Sequence, residues 1–194
     1  MIFGEVVHAM RPLVREFERL GIAYYVGGSV ASSVYGVPRT TLDADVVAVL
    51  RINDVGPLVA GLAKEFYVSS DAARAAVQHQ SSFNVIHLAT TFKIDVFVVT
   101  THPFDHSALA RKRKDTIGEV SKLDVFLASP EDVLLHKLKW YRDGNEVSDR
   151  QWGDILGLLK VQHETLDSDY LQHWAIELGV ADLLERAVEE SGIE

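Results

Sequence analysis

The sequence predicts an α/β (α+β) fold: a mixed sheet of about five strands, flanking helices and a helical C-terminal part. Three features of the 194-residue chain lead to it. Short β-type apolar runs alternate with stretches of helical spacing as far as residue 128. Residues 129–194 carry helical spacing alone, which sets a subdomain boundary near 128. The third feature is the run YYVGGSVASSVYGVPRTTLDADVVAV, Tyr24 to Val49, where a glycine turn follows one strand and two acids sit in the next.

Taken in order, apolar residues at Val6, Val7, Met10, Leu13, Val14, Phe17 and Leu20 put an amphipathic helix over residues 2–20, closed by Gly21. Ile22 to Val26 reads as a buried strand. A short helix then passes through Ala31-Ser32-Ser33 to a turn at Gly36-Val37-Pro38. The strand carrying Asp43 and Asp45 ends around Leu50. A helix capped by Asn53 or Asp54 runs to about Phe66, and a shorter one covers Asp71 to Ala76. Strands Phe83–Leu88 and Phe92–Val99 are joined by a short connection, which predicts a hairpin. A helix from His102 to about Lys112 and a strand from Leu123 to Ala128 follow. Ser129-Pro130-Glu131-Asp132 opens the next helix, with serine as cap, proline in the first turn and two acids beside the dipole. It reaches about Arg142, and further helices cover 148–162, 167–178 and 180–191. No internal repeat is present.

The chemistry concentrates in the Tyr24–Val49 run. Asp43 and Asp45 are two apart in a strand and so leave the same face of the sheet. Paired carboxylates beside a core need compensation, and a divalent cation with oxygen-only ligands, Mg²⁺ or Mn²⁺, is the simplest. Gly27-Gly28-Ser29 at a helix start suits phosphate: backbone N–H groups can approach closely and the Ser29 hydroxyl can join them. Asp95, alone in the apolar run Phe92–Val99, either joins the acids or pairs with Lys93 on its own face. His79 and His87 lack a paired ligand spacing and read as surface or hydrogen-bonded histidines.

Gly-Gly-Ser followed by Asp-x-Asp resembles the polymerase-beta-type nucleotidyltransferase superfamily. Within it, Gly36-Val37-Pro38-Arg39-Thr40-Thr41-Leu42-Asp43-Ala44-Asp45 looks most like the bacterial abortive-infection (AbiEii-like) toxin class. The resemblance covers about a quarter of the chain closely. It implies a nucleotidyltransferase core at 1–128 with a helical subdomain, 129–194, packed on it. It implies an enzyme with Asp43, Asp45 and Asp95 as metal ligands and catalytic acids. Gly27, Gly28, Ser29, Arg39 and Thr41 would then bind NTP. Lys137 matches the lysine on the helix after the sheet. Asp149 and Asp154 fall on the following helix, where Asp149 suits a nucleotide-binding role or a helix cap equally. The class further implies an RNA acceptor such as tRNA, a toxin–antitoxin or phage-defence setting and a cognate antitoxin. The same fold also serves small-molecule, antibiotic-type transfer and non-catalytic nucleotide binding.

Composition sets the outer bounds. The absence of cysteine excludes disulfides, thiolate metal sites and cysteine nucleophiles. A net charge of −9 argues against a surface built for non-specific nucleic-acid binding; the densest basic cluster, Arg111-Lys112-Arg113-Lys114, reads as a solvated helix end. Neither a membrane span nor a signal peptide is recognisable, so a cytoplasmic location is expected.

Overall fold

The computed structural model describes residues 4–193. The apolar stripe predicted at the N-terminus forms α1 (Gly4–Leu20); the first residues of the expected helix, 2 and 3, lie outside the described ones. After it come β1 (Tyr24–Val26), α2 (Gly28–Tyr35) and β2 (Asp43–Ala48). Next are α3 (Ile52–Leu62), β3 (Phe66–Val68), α4 (Ser70–His79), β4 (Ser82–His87) and β5 (Lys93–Val98). The remainder is α5 (Pro103–Arg111), β6 (Arg113–Ile117), β7 (Leu123–Leu127), α6 (Pro130–Asp143), α7 (Asp149–Gln162), α8 (Ser168–Glu177) and α9 (Ala181–Ser191).

The described strands form one mixed sheet in the order β3-β4-β5-β2-β1-β7-β6. Parallel pairing joins β1 to β7 and β2 to β5, and the other neighbours are antiparallel, with β4 and β5 forming the expected hairpin. Seven strands stand where about five were expected. The two extra ones, β3 and β6, are the two edges of the sheet. β6 reads RKDTI and buries only Ile117, so it shows no alternation; it is held by backbone pairing to β7.

Alternation in the central strands fixes which residues face the site. In β2, Ala44, Val46 and Ala48 are buried while Asp43, Asp45 and Val47 are half-exposed; in β5, Ile94, Val96 and Val98 are buried while Lys93, Asp95 and Phe97 are half-exposed. Shifting either strand by one residue would send its carboxylates into the core, so the apolar face sets the register. On the helical side, α2 packs against β2, α6 and α7, and α6 also contacts α8. The Ser129 hydroxyl caps α6 at Asp132 N–H, as its Ser-Pro-Glu-Asp start predicts. No helix among the described residues is long and apolar enough to cross a membrane.

The fully buried Ile94 sits between Lys93 and Asp95 and anchors β5 to the core. Ile94→Ala is expected to lower unfolding free energy by about 2–5 kcal/mol in urea titrations, through lost burial and the cavity left behind.

Candidate functional site

The strand pairing brings the predicted acids together. In the parallel β2–β5 register, Asp45 is the Cα partner of Asp95 and Asp43 is the partner of Lys93. One rung thus joins two carboxylates, and the next rung on the same face, two residues along, joins a carboxylate to an ammonium. Lys93 Nζ lies 2.7 Å from Asp95 Oδ2 and 4.0 Å from Asp43 Oδ2. Asp95 is therefore opposite Asp45 in the register while its carboxylate pairs with Lys93 on its own strand. In this arrangement, no three acidic or imidazole side chains among the described residues close to ligating geometry.

The glycine turn abuts the same acids. Gly27 N–H donates to the Asp45 carbonyl at 2.9 Å, tying the turn to β2. Gly28 has φ +52, a left-handed conformation costly for any residue with a side chain. A Cβ there would stand 1.7 Å from Asp45 Oδ2 and 2.9 Å from its Cβ. The turn must be glycine because the carboxylate takes the space a side chain would need. Ser29 Oγ and Thr41 Oγ1 are 2.7 Å apart, and Thr41 Oγ1 donates to the Asp43 carbonyl or carboxylate, at 3.0 and 3.1 Å. Hydroxyls therefore link the start of α2 to the first acid.

A second charged group joins the sheet to the C-terminal helices. Lys137 is 2% exposed, and its Nζ donates to Asp154 Oδ2 at 2.8 Å and to Gln151 Oε1 at 3.1 Å. Arg39 grips the same carboxylate with two hydrogen bonds, Nε to Oδ1 at 2.8 Å and Nη2 to Oδ2 at 2.9 Å. Burial alone would raise the Asp154 carboxyl, yet the hydrogen bonds and charges of Arg39 and Lys137 carry it below the usual range. Burial pulls the Lys137 ammonium down, opposed by Asp154 and by Asp45. Asp154 is the residue whose role the sequence left open, a lone acid among Trp152, Ile155 and Leu158 on α7. Asp149 lies exposed in the first turn of α7, where Ser148 supplies the cap.

Asp45 is the acid whose carboxyl the site raises. Burial, then the neighbouring Asp43 and Asp95, push its carboxyl up to about 6, against the opposing pull of Lys137 and Lys93. Beside it opens a cavity of about 280 Å³ lined by Tyr25, Val47, Phe97, Asp105, His136 and Trp140, among others. The Phe97 and Trp140 ring centroids are 5.8 Å apart, and Tyr25 Oη lies 3.3 Å from His136 Nε2. Burial lowers the His136 imidazole below its ordinary value. Elsewhere the basic cluster is engaged in structural pairs: Arg111 reaches Glu131 at 3.1 Å and Lys114 reaches Asp124 at 3.8 Å. His87 is buried, with Nδ1 2.9 Å from Thr90 Oγ1, a hydrogen-bonded histidine as expected.

No protein-family model and no curated protein matches the chain. Solved structures do. An antigenic nucleotidyltransferase-like protein from Paracoccidioides brasiliensis superposes with a TM-score of 0.58 at 19% identity, over 95% of this chain and 92% of its own. The antibiotic-resistance factor ANT(2'')-Ia, in complex with adenylyl-2''-tobramycin, gives 0.57 at 10% identity, over 90% of this chain and 97% of its own. The chain has a nucleotidyltransferase-like fold. Within the nucleotidyltransferase fold, the Gly27–Gly28 turn and the three acids are what this sequence places side by side.

Two outcomes follow for the metal-free protein. Gly28→Ala is expected to lose about 1–2 kcal/mol of stability in thermal or urea unfolding and to rotate Asp45 away from Asp95. The Asp45 carboxyl is raised in the fold, so the native state binds its proton more tightly than the unfolded chain does. The stability this contributes is full below the ordinary value of 3.8 and is lost as pH rises through about 6. Asp45→Asn should flatten that decline in unfolding midpoints measured from pH 4 to 7.

Proposed function

We propose that the chain is a metal-dependent nucleotidyltransferase that moves an NMP from an NTP to an acceptor hydroxyl. The observation that carries the reading is Asp45 set rung-to-rung against Asp95, beside a turn kept open by Gly28. The residues fit a divalent cation: the donors are hard carboxylate oxygens, and burial together with the neighbouring Asp43 and Asp95 charges lifts Asp45. Asp43, Asp45 and Asp95 would hold Mg²⁺ or Mn²⁺. The bound ion would supply charge neutralisation on the phosphates and a lowered pKa for the acceptor hydroxyl.

The chain's own groups divide the remaining work. Gly28 and Ser29 present backbone N–H groups and a hydroxyl at the N-terminus of α2, where a triphosphate is favoured. Thr41 orients Asp43 and Ser29 through its hydroxyl. The acceptor oxygen forms its bond to the α-phosphorus as the bond to the β-phosphate oxygen breaks and pyrophosphate leaves. Asp95 takes the hydroxyl proton. Arg39 and Lys137, both held by Asp154, offset the charge that builds on the leaving group. Asp149, in the first turn of α7, is the outermost candidate contact to the nucleotide.

The Gly36–Asp45 run supports an RNA acceptor such as tRNA and a toxin–antitoxin setting with a cognate antitoxin. A small-molecule acceptor is the second reading, and the cavity favours it. Its charged lining is Asp45 and Asp105, and its walls include Tyr25, Phe97 and Trp140, with no lysine or arginine among the residues lining it. Aromatic walls beside two carboxylates suit a ring bearing an amine.

The test is transfer of label from each of the four α-labelled NTPs, with Mg²⁺ or Mn²⁺, to tRNA and to aminoglycoside or lincosamide acceptors. Label should reach one acceptor class, and Asp45→Ala should reduce transfer at least about 10²-fold. Transfer to none of these acceptors would overturn the reading. In cells, growth arrest relieved by a neighbouring gene marks the RNA acceptor, and antibiotic resistance marks the small one.

A further inference from the structure

On the half-open face of the β4-β5-β2 portion of the sheet, the acids do not stand alone. The residues pointing that way are Asp43, Asp45 and Val47 from β2, Lys93, Asp95 and Phe97 from β5, and the β4 residues opposite them. Lys93 is the single cation among them. It is directly opposite Asp43 in the register and two residues before Asp95 on its own strand. Its ammonium touches Asp95 at 2.7 Å and reaches Asp43 at 4.0 Å, so it sits between two of the three acids. Asp45 stands opposite Asp95 in the register, with Lys137 and Lys93 as the cations whose charges reach it.

We propose that Lys93 is a built-in counter-ion of the metal site: its ammonium neutralises Asp95 and Asp43 in the metal-free protein and competes with a divalent cation for them. The inference rests on the metal-site reading above and adds a residue to it. Like charges set directly opposite across a strand pair destabilise the pairing. A positive charge beside the Asp45–Asp95 rung offsets that repulsion in the metal-free sheet. The same charge then opposes an incoming cation, by direct repulsion and by occupying Asp95 Oδ2. Lys93 is half-exposed, with 42% of its side chain accessible, so its ammonium can swing into solvent on a flexible stem when displaced. That exposure also limits the effect, because water screens the pair. Lys93 is a positioning residue in this scheme.

The variants Lys93→Met and Lys93→Arg separate charge from packing. Mn²⁺ affinity would be measured on the full chain by the loss of the free-ion paramagnetic resonance signal, and unfolding midpoints would be taken with and without Mn²⁺. Lys93→Met is expected to bind Mn²⁺ about tenfold more tightly than the wild type. Its midpoint should fall without metal and rise further than the wild type's when metal is added. Lys93→Arg keeps the charge and should bind within about threefold of the wild type. Equal or weaker Mn²⁺ binding by Lys93→Met would overturn the inference while leaving the metal site intact. If neither the wild type nor Lys93→Met binds Mn²⁺, the metal-site reading itself fails.

Discussion

Everything at this site depends on one unfavourable contact, the Asp45–Asp95 rung between parallel strands. Neighbouring strands lie about 4.8 Å apart, and two carboxylates on adjacent backbones at that spacing do not attract. What holds them together is on the other side of the sheet. Ala44, Val46 and Ala48 in β2 and Ile94, Val96 and Val98 in β5 are buried, and their burial fixes the register of both strands. The apolar face thus acts as a clamp, forcing on the polar face a charge density that those side chains would not adopt unaided. The Asp45 carboxyl is raised first by burial and then by the Asp43 and Asp95 charges set beside it.

The glycine turn is matched to the same clamp. Gly27 bonds to the Asp45 backbone while the Asp45 carboxylate fills the space where Gly28 would carry a Cβ. The N-terminus of α2 therefore cannot move independently of β2. Ser29 and Thr41 add a hydroxyl bridge to Asp43. The glycine turn and the acid-bearing strand are locked into one unit by short polar contacts whose register comes from hydrophobic packing. This explains why the turn and the acids, each an ordinary feature alone, gain meaning when a dozen or so residues separate them in sequence.

Most of this was legible in the chain because it is local. The Asp43/Asp45 spacing, the Gly27-Gly28-Ser29 turn, the β4–β5 hairpin and the capped start of α6 follow from period, turn chemistry and capping. Two kinds of feature were not legible. Edge strands β3 and β6 pair through backbone groups, and RKDTI in β6 carries a charge pattern that reads as a solvated helix end rather than as a strand. The roles of Lys93 and Asp154 depend on partners supplied by the tertiary fold. Lys93 meets Asp43 only when β5 pairs with β2, and Asp154 meets Arg39 across 115 positions of sequence. Lys137 matched a lysine position, yet nothing in the chain marked Asp154 as what would hold it.

That last pair ties the helical C-terminal part to the loop before β2. A lysine 2% exposed loses several kcal/mol of hydration, and a weak partner would leave it neutral. Asp154 and Gln151, both on α7, supply the compensation, while Arg39 approaches the same carboxylate from the loop before β2. The cation on α6 is therefore tolerable only while α7 is docked and the Arg39 loop is closed against it. Burial of Lys137 makes the polar face of the sheet, the α6–α7 pair and the loop interdependent. Arg39 and Lys137 are thereby both fixed in direction by one carboxylate, with the ordering cost met during folding.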